Sequence, residues 1–245
     1  MNDRPFPAEE PDMGNRSIPI LAAAALLALP ASLAAKPPDS WDGLIRVEAK
    51  RVAAVYLLQD ADFRGYSKVM IDQPEVAFKK DWRRNFNMSQ RSAAAKVGDA
   101  DIRKAIDRAK ASFMEALVEA YAEAGYQVVS EPGPDVLRVS TAIVNLAVDA
   151  PEQFSSARSR SFAAQAGEAS LVVEARDSVS GSLMGRAVDR RLAGDTSGGG
   201  PYMRNSVTNR ADFEQLFRRW ARISAEGMTK LKTMSPVNAQ GQRAQ

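Results

Sequence analysis

The feature of the sequence that most constrains its fold is a β-hairpin pattern in residues 167–194. Two short apolar runs with strand composition, at 171–173 and 183–188, flank a polar loop at 177–181 that ends in glycine. This spacing predicts two antiparallel strands joined by a loop of about four or five residues. Polar and apolar residues alternate in the second strand, so the pattern predicts that one edge or face of the hairpin meets water.

Apolar segments on the amino-terminal side of this hairpin predict the rest of a sheet. The predicted strands cover residues 45–58, 68–72, 76–78, 126–129 and 137–148. Pro74 separates the second and third of these strands, which predicts an edge or a bulge at that point. The apolar face of the last strand changes near Ile143, and this change predicts a bulge there.

Two longer segments have the apolar spacing of amphipathic helices. The first is predicted to be capped by Asp99 and to end at Gly125, and the second covers residues 209–232 with a cap near Thr208 or Asn209. Together these elements predict an α/β (α+β-like) domain. Its mainly antiparallel sheet carries the two amphipathic helices packed on one face.

The amino-terminal segment has the composition of a signal peptide. Its apolar run at 18–29 is shorter than the ~20 residues that span a membrane, and small residues precede Lys36. A buried or anchoring helix is the alternative, and Met13 is an alternative start. A lipoprotein would carry its modified cysteine at position 36, where this chain has Lys36. We therefore expect a periplasmic protein without a lipid anchor and without a transmembrane segment after signal removal. The expected organisation is a signal peptide at 1–35, a single domain at 36–234 and a disordered tail at 235–245.

The chain contains neither cysteine nor histidine. This excludes disulfides, thiolate nucleophiles and cysteine-bound metals, and it removes the commonest general base at neutral pH. We therefore expect no catalytic residue, no cofactor and no metal site. A carboxylate-based hydrolase that uses Glu174, Asp177 or Asp189 is the alternative. Exposed ion pairs with the arginines of the second hairpin strand explain the same charges more simply.

The most basic window of the chain is residues 79–91, where Trp82 and Phe86 lie four residues apart. Interleaved cations and aromatic rings can bind polyanions such as lipopolysaccharide, peptidoglycan or anionic lipid. The same spacing also gives an ordinary short helix with an apolar stripe and a wet basic side. No phosphate loop or RNA-binding aromatic motif accompanies the window, so we expect no nucleic acid partner. The candidate binding residues are Lys79, Lys80, Trp82, Arg83, Arg84 and Arg91.

A second group of hydrogen-bonding residues is divided between two distant segments. Arg158 and Arg160 belong to the first segment, and Asn205, Asn209 and Arg210 belong to the second. If the fold brings them together, they would form a corner that binds an anion or a carboxylate. Turn and cap roles explain the asparagines equally well.

Several separated motifs resemble one family of exported bacterial proteins. They lie at residues 66–72, 76–82, 133–137, 177–181 with 187–190, and 205–209 with 219–221. The family, many of whose members are lipoproteins, is known as domain-of-unknown-function family 3313. The resemblance implies a cell-envelope location and an α/β domain, and it implies no activity. The element order is also similar to TolB amino-terminal and curli-secretion lipoprotein domains, by topology alone.

The function expected from these observations is non-catalytic. We expect a protein-binding or assembly-accessory module whose open sheet edge or basic window contacts an envelope protein. The first alternative is a polyanion binder that uses the basic window on an anionic envelope surface. The second alternative is the carboxylate-based hydrolase.

Overall fold

The structure, a computed structural model, describes residues 37–148, 161–163, 166–194, 202–204 and 206–238. The chain divides into the units Met1–Ala35 and Lys36–Gln245, and every element below belongs to the second unit. Its strands are β1 (Ser40–Trp41), β2 (Leu44–Val47), β3 (Ala54–Leu57), β4 (Lys68–Ile71), β5 (Glu75–Phe78), β6 (Gln127–Val129), β7 (Val136–Val148), β8 (Ser161–Ala163), β9 (Gly167–Asp177), β10 (Leu183–Ala193) and β11 (Tyr202–Arg204). Its helices are α1 (Trp82–Ser89), α2 (Asp99–Glu123) and α3 (Ser206–Met234), with a single 3-10 turn at Ala93–Ala95.

The main sheet is mixed. Its strands follow the order β1-β2-β3-β10-β9-β7-β4-β6, and β5 pairs with β7 in line with β4. Every pair from β1 to β7 is antiparallel, whereas β4 and β5 pair with β7, and β6 with β4, in parallel. Most of these strand pairs are antiparallel, as predicted, whereas the parallel pairing of β4, β5 and β6 was not predicted. A separate two-stranded sheet joins β8 to β11.

The central hairpin forms as predicted but is longer, because β9 and β10 each extend over 11 residues. The predicted strand at 45–58 is instead two antiparallel strands, β2 and β3, joined by a turn. Polar residues in the middle of that segment, Glu48, Lys50 and Arg51, form the turn. In β7 the predicted bulge lies at Asn145, two residues beyond Ile143, where the backbone has a φ of 53° that asparagine tolerates.

Helices α2 and α3 pack side by side on one face of the sheet, as predicted, and α1 adds a third helix. Phe113 and Phe217 meet at the helix–helix contact with ring centroids 5.4 Å apart. The cap of α2 is Gly98 rather than Asp99, because its N–H donates to the Asp101 carboxylate at 2.8 Å. The cap predicted near Thr208 or Asn209 is wrong, since both residues lie inside α3.

The helical layer is narrower than the sheet. A helix with its side chains is about 10 Å wide and strands are about 4.8 Å apart, so two helices cover about four strands. The principal sheet contacts of α2 are with β4, β5 and β6, and those of α3 are with β10. In the described part of the chain, β2 and β3 therefore extend beyond the edge of α3.

The residues after α3 are packed, which corrects the expectation of a disordered tail from residue 235. Val237 is fully buried, and its backbone exchanges hydrogen bonds with Asp60 and Ala61. The Ser235 hydroxyl accepts a hydrogen bond from the Phe63 N–H at 2.9 Å. The domain therefore extends at least to residue 238, while residues 239–245 lie outside the described part, as does the expected signal peptide.

Candidate functional site

Three charged residues of the hairpin, Glu174, Arg186 and Asp189, are buried, whereas Arg190 is exposed. Glu174 and Arg186 are only 3% and 7% exposed, and Arg186 Nε donates to the Glu174 carboxylate at 2.9 Å. The other Glu174 oxygen accepts a hydrogen bond from Arg176 at 2.8 Å, and Asp42 accepts one from Arg186 at 2.8 Å. The Trp41 ring covers the Arg186 guanidinium at 4.1 Å. The expectation of exposed ion pairs is therefore wrong for Arg186, because partners from β9 and the β1–β2 turn cover it. It is right for Arg190, whose half-exposed side chain pairs with Glu168 on β9.

A second buried carboxylate, Asp189, joins three elements. It accepts hydrogen bonds from the Trp220 indole on α3 at 2.9 Å, from the Ala53 N–H at 3.2 Å, and from Arg191 at 2.6 Å. Arg191 in turn donates to the carbonyl oxygen of Arg51 at 2.6 Å. This network fixes the β2–β3 turn against β10 and α3. It determines the shape of the two depressions that flank the turn.

The first depression is an apolar groove between α3 and the β2–β3 hairpin, with a volume of about 610 Å³. It exists because the helical layer stops at α3 and does not cover β2 and β3. Side chains on that part of the sheet are therefore half exposed. Residues that line it include Val47, Val52, Val55, Ala187, Ile223 and Leu231. We call this depression the apolar groove.

The second depression adjoins the first and is strongly basic, with a volume of about 690 Å³. No sequence motif predicts this depression, because its residues come from segments that are far apart in the chain. The only local indication was the spacing of three arginines on α3, which also fits an ordinary solvated helix face. We call it the arginine cleft, defined by Lys50, Arg51, Arg191, Arg218, Arg219 and Arg222.

The basic window of residues 79–91 does not form a single open basic surface. Lys79 pairs with Glu168 at 3.0 Å, Arg83 pairs with Asp99, and Arg84 lies 3.5 Å from Asp81. The exposed side chains of Lys80 and Arg91 lie at opposite ends of the segment. Trp82 stacks between Phe78 and Phe86, with centroid distances of 4.6 and 5.5 Å. Trp82 and Phe86 thus form an apolar stripe on α1 that contacts Phe78 of β5.

The ion pairs of Glu168 should make the stability of the fold depend on pH. Hydrogen bonds from Arg190 and Lys79 hold the pKa of Glu168 below its usual value. The pairs therefore stabilise the fold fully above the unfolded pKa of about 4.3, and this stability is lost as the pH falls through the lower folded pKa. Because both cations are half exposed, we expect a contribution below about 1 kcal/mol. Urea unfolding should show the advantage of the wild type over a Glu168→Gln variant shrinking between about pH 5 and pH 3. A difference that is independent of pH would contradict this assignment.

The second group of candidate residues is only partly described. Arg158, Arg160 and Asn205 lie outside the described residues, so the predicted anion-binding corner stays a prediction. Asn209 is buried within α3, and Arg210 lies 3.7 Å from Glu214 on the same helix. With Trp82 and Phe78, Asn209 and Arg210 line a further hollow of about 580 Å³ beside α2.

The described residues contain no cluster of three or more acidic side chains that could hold a metal ion. Asp177 serves the hairpin turn, where hydrogen bonds from the Ser180 backbone and hydroxyl lower its pKa. Tyr66 also donates to the Asp177 carboxylate, at 2.9 Å. The candidate carboxylates Glu174, Asp177 and Asp189 thus all make contacts that stabilise the fold.

In the described part of the chain, no helix combines the length and apolar character needed to cross a bilayer.

Comparison with known families confirms the resemblance found in the sequence. The model of DUF3313, described as a protein of unknown function, matches residues 32–223. The chain belongs to the DUF3313 family. That match includes the strands β1–β11 and the first part of α3, and it therefore covers the arginine cleft and the sheet side of the apolar groove. The α3 side of the groove beyond Ile223, including Leu231, lies outside the match. No curated protein matches the sequence.

Several solved structures are distantly similar to this DUF3313 chain. The PelC dodecamer of Paraburkholderia phytofirmans is 11% identical, with a TM-score of 0.35, over 70% of this chain and 96% of that one. A Xanthomonas campestris protein of family DUF330 is 11% identical, with a TM-score of 0.35, over 71% and 89%. A neuraminyllactose-binding hemagglutinin homologue of Helicobacter pylori is 13% identical, with a TM-score of 0.34, over the same shares. Likeness at this level carries no argument about function.

Proposed function

We propose that this protein is a non-catalytic, exported cell-envelope module that binds a helix of a partner protein in the apolar groove. The observation that supports it is the uncovered strip of sheet beside α3. Val55 and Ala187 on the sheet and Ile223 on α3 are only half buried there. A contiguous apolar depression of this kind marks an interaction site more often than an unused surface.

The dimensions of the strip favour a helix as the occupant. The space beside α3 over β2 and β3 is the position that a third helix would take in a complete layer. An amphipathic helix buries its apolar face in such a groove through side chains at positions i, i+3, i+4 and i+7. The sheet edges are less suited to bind a strand, because the terminal strands β1 and β6 have only two and three residues.

Export is supported by sequence alone. The short apolar run at 18–29 and the small residues before Lys36 fit a cleaved signal peptide. The absence of cysteine throughout the chain is compatible with an oxidising compartment and rules out acylation at a cysteine. A periplasmic location would bring the groove into contact with other envelope proteins.

The proposal is tested by photocrosslinking in intact cells. A photoreactive residue at Ile223 should crosslink one reproducible envelope protein, and the adduct should be lost when Leu231→Asp places a charge in the groove. The matched control is a photoreactive residue at Val118, an exposed apolar position on α2 that is 39% exposed. Osmotic-shock fractionation of the same cells should release the protein with the periplasm.

Two results would contradict the proposal. Equal adducts from positions 118 and 223 would mean that the crosslinks are random encounters. Adducts to lipid alone would mean that the groove binds an acyl chain and not a helix.

A further inference from the structure

The arginine cleft gathers six cations from three elements. Lys50 and Arg51 belong to the β2–β3 turn, Arg191 belongs to β10, and the remaining three arginines lie within two adjacent turns of α3. Like charges that are brought this close destabilise a folded protein unless anions compensate for them. The fold nevertheless places all six around one volume of about 690 Å³.

The carboxylates beside the cleft do not neutralise it. Glu226 pairs with Arg51 and lies 4.0 Å from Arg222, and Asp189 pairs with Arg191. Glu48 lies 4.0 Å from Lys50, with both side chains about 80% exposed. Three carboxylates thus face six cations, which leaves an excess of three positive charges.

Two of the α3 arginines supply much of this excess. Within the described residues, no carboxylate pairs with Arg218 or Arg219, and both side chains are exposed. They directly precede the buried residue Trp220 on α3. Their guanidinium groups are available to a ligand.

The cleft is also preorganised. Asp189 is only 5% exposed, and it fixes Arg191, the Ala53 N–H of the turn and Trp220 of α3 at the same time. Arg191 additionally holds the backbone of Arg51. One buried carboxylate therefore sets the relative positions of all three elements that carry the cations, so a ligand would not have to assemble them.

We propose that the arginine cleft binds a ligand that bears phosphate groups. Arginine matches phosphate with two parallel hydrogen bonds from its planar fork. A phosphate monoester also carries up to two negative charges in the volume where a carboxylate carries one, so it meets the excess charge of a small cleft better than an acidic peptide does. This site adjoins the apolar groove and shares Lys50, Arg51 and Ile223 with it. Arg218 and Arg219 line the arginine cleft and not the groove, so substituting them tests the cleft.

Calorimetry with the purified protein and tripolyphosphate tests the proposal. We expect binding that weakens at least about tenfold when Arg218→Gln and Arg219→Gln are combined, since each removes a charge-assisted contact. The matched control combines Lys80→Gln and Arg91→Gln, which removes the same charge from exposed positions of the basic window. The control should change the affinity less than about twofold.

A second probe distinguishes the source of the phosphate. If vesicles of phosphatidylglycerol also bind the protein and the Arg218/Arg219 variant loses both probes, the phosphate belongs to a lipid headgroup. If tripolyphosphate alone binds, the phosphate belongs to a soluble ligand. The proposal is overturned if neither probe binds, if the two variants weaken binding equally, or if a polyglutamate peptide of the same charge binds more tightly than tripolyphosphate.

Discussion

A Glu174→Ala variant should unfold about 3 kcal/mol more easily than the wild type. The substitution removes the partner of Arg186, whose guanidinium lies between β9 and the Trp41 ring and is 7% exposed. Removing one member of a buried ion pair leaves the other charge without compensation, which typically costs about 3–5 kcal/mol. Arg186 keeps Asp42 at 2.8 Å, so the lower end of that range applies. Urea unfolding followed by circular dichroism measures the difference.

Two further variants separate the charge from the packing. In the double variant Glu174→Leu/Arg186→Met, apolar groups replace both charges. Much of the stability should return, because the attraction within a buried ion pair does little more than offset the cost of desolvating its two charges. In Glu48→Ala, the broken pair is the exposed one with Lys50, so we expect a change below about 0.5 kcal/mol. A Glu174→Ala protein within 1 kcal/mol of the wild type would show that water reaches Arg186.

The buried pair of Glu174 and Arg186 shows what local sequence patterns can and cannot predict. Alternation of Arg186 with apolar neighbours predicts a strand correctly, because the period of two is a local property of the chain. Whether the charged face of that strand is buried depends on Glu174, 12 residues away, and on Asp42, 144 residues away. Local patterning therefore predicted the hairpin and the exposed Arg190, but it wrongly predicted that Arg186 and Asp189 are exposed.

The helices show the same division. Apolar spacing located α2 and α3 to within a few residues, and Gly125 ends α2 with a φ of 87° as its position predicted. The parallel pairing of β4 with β7 was not predicted, since it depends on how α2 returns the chain to the sheet. The burial of Val237 was also missed, because a polar segment of the sequence surrounds this single apolar residue.

The candidate sites could be predicted from the sequence less well than the fold. The basic window was predicted as a binding surface because its cations are close together in the sequence, yet three of them pair with carboxylates of the same chain. The arginine cleft joins positions 50, 191 and 218, which no sequence window contains together. Its assembly rests on Asp189, a residue that in sequence looks like any exposed strand carboxylate.

Replacing Trp220 tests that assembly and should have a similarly large effect. Trp220 is 1% exposed, stacks on Phe217 at a centroid distance of 6.5 Å, and donates its indole N–H to Asp189. A Trp220→Ala variant loses both the packing and the hydrogen bond, and large-to-small core substitutions of this kind cost about 3–5 kcal/mol. Thermal and urea unfolding should both show the loss.

A Trp220→Phe variant isolates the hydrogen bond, because it keeps most of the ring but leaves Asp189 with one donor fewer. We expect a loss of about 1–3 kcal/mol, the usual cost of removing a partner from a buried charged group. The matched control is Trp82→Phe, since the Trp82 indole is half buried and its N–H donates to no described residue, so the expected loss is below about 1 kcal/mol. If the two phenylalanine variants were equally stable, Asp189 would not depend on α3, and the preorganisation of the arginine cleft would have to come from the β2–β3 turn alone.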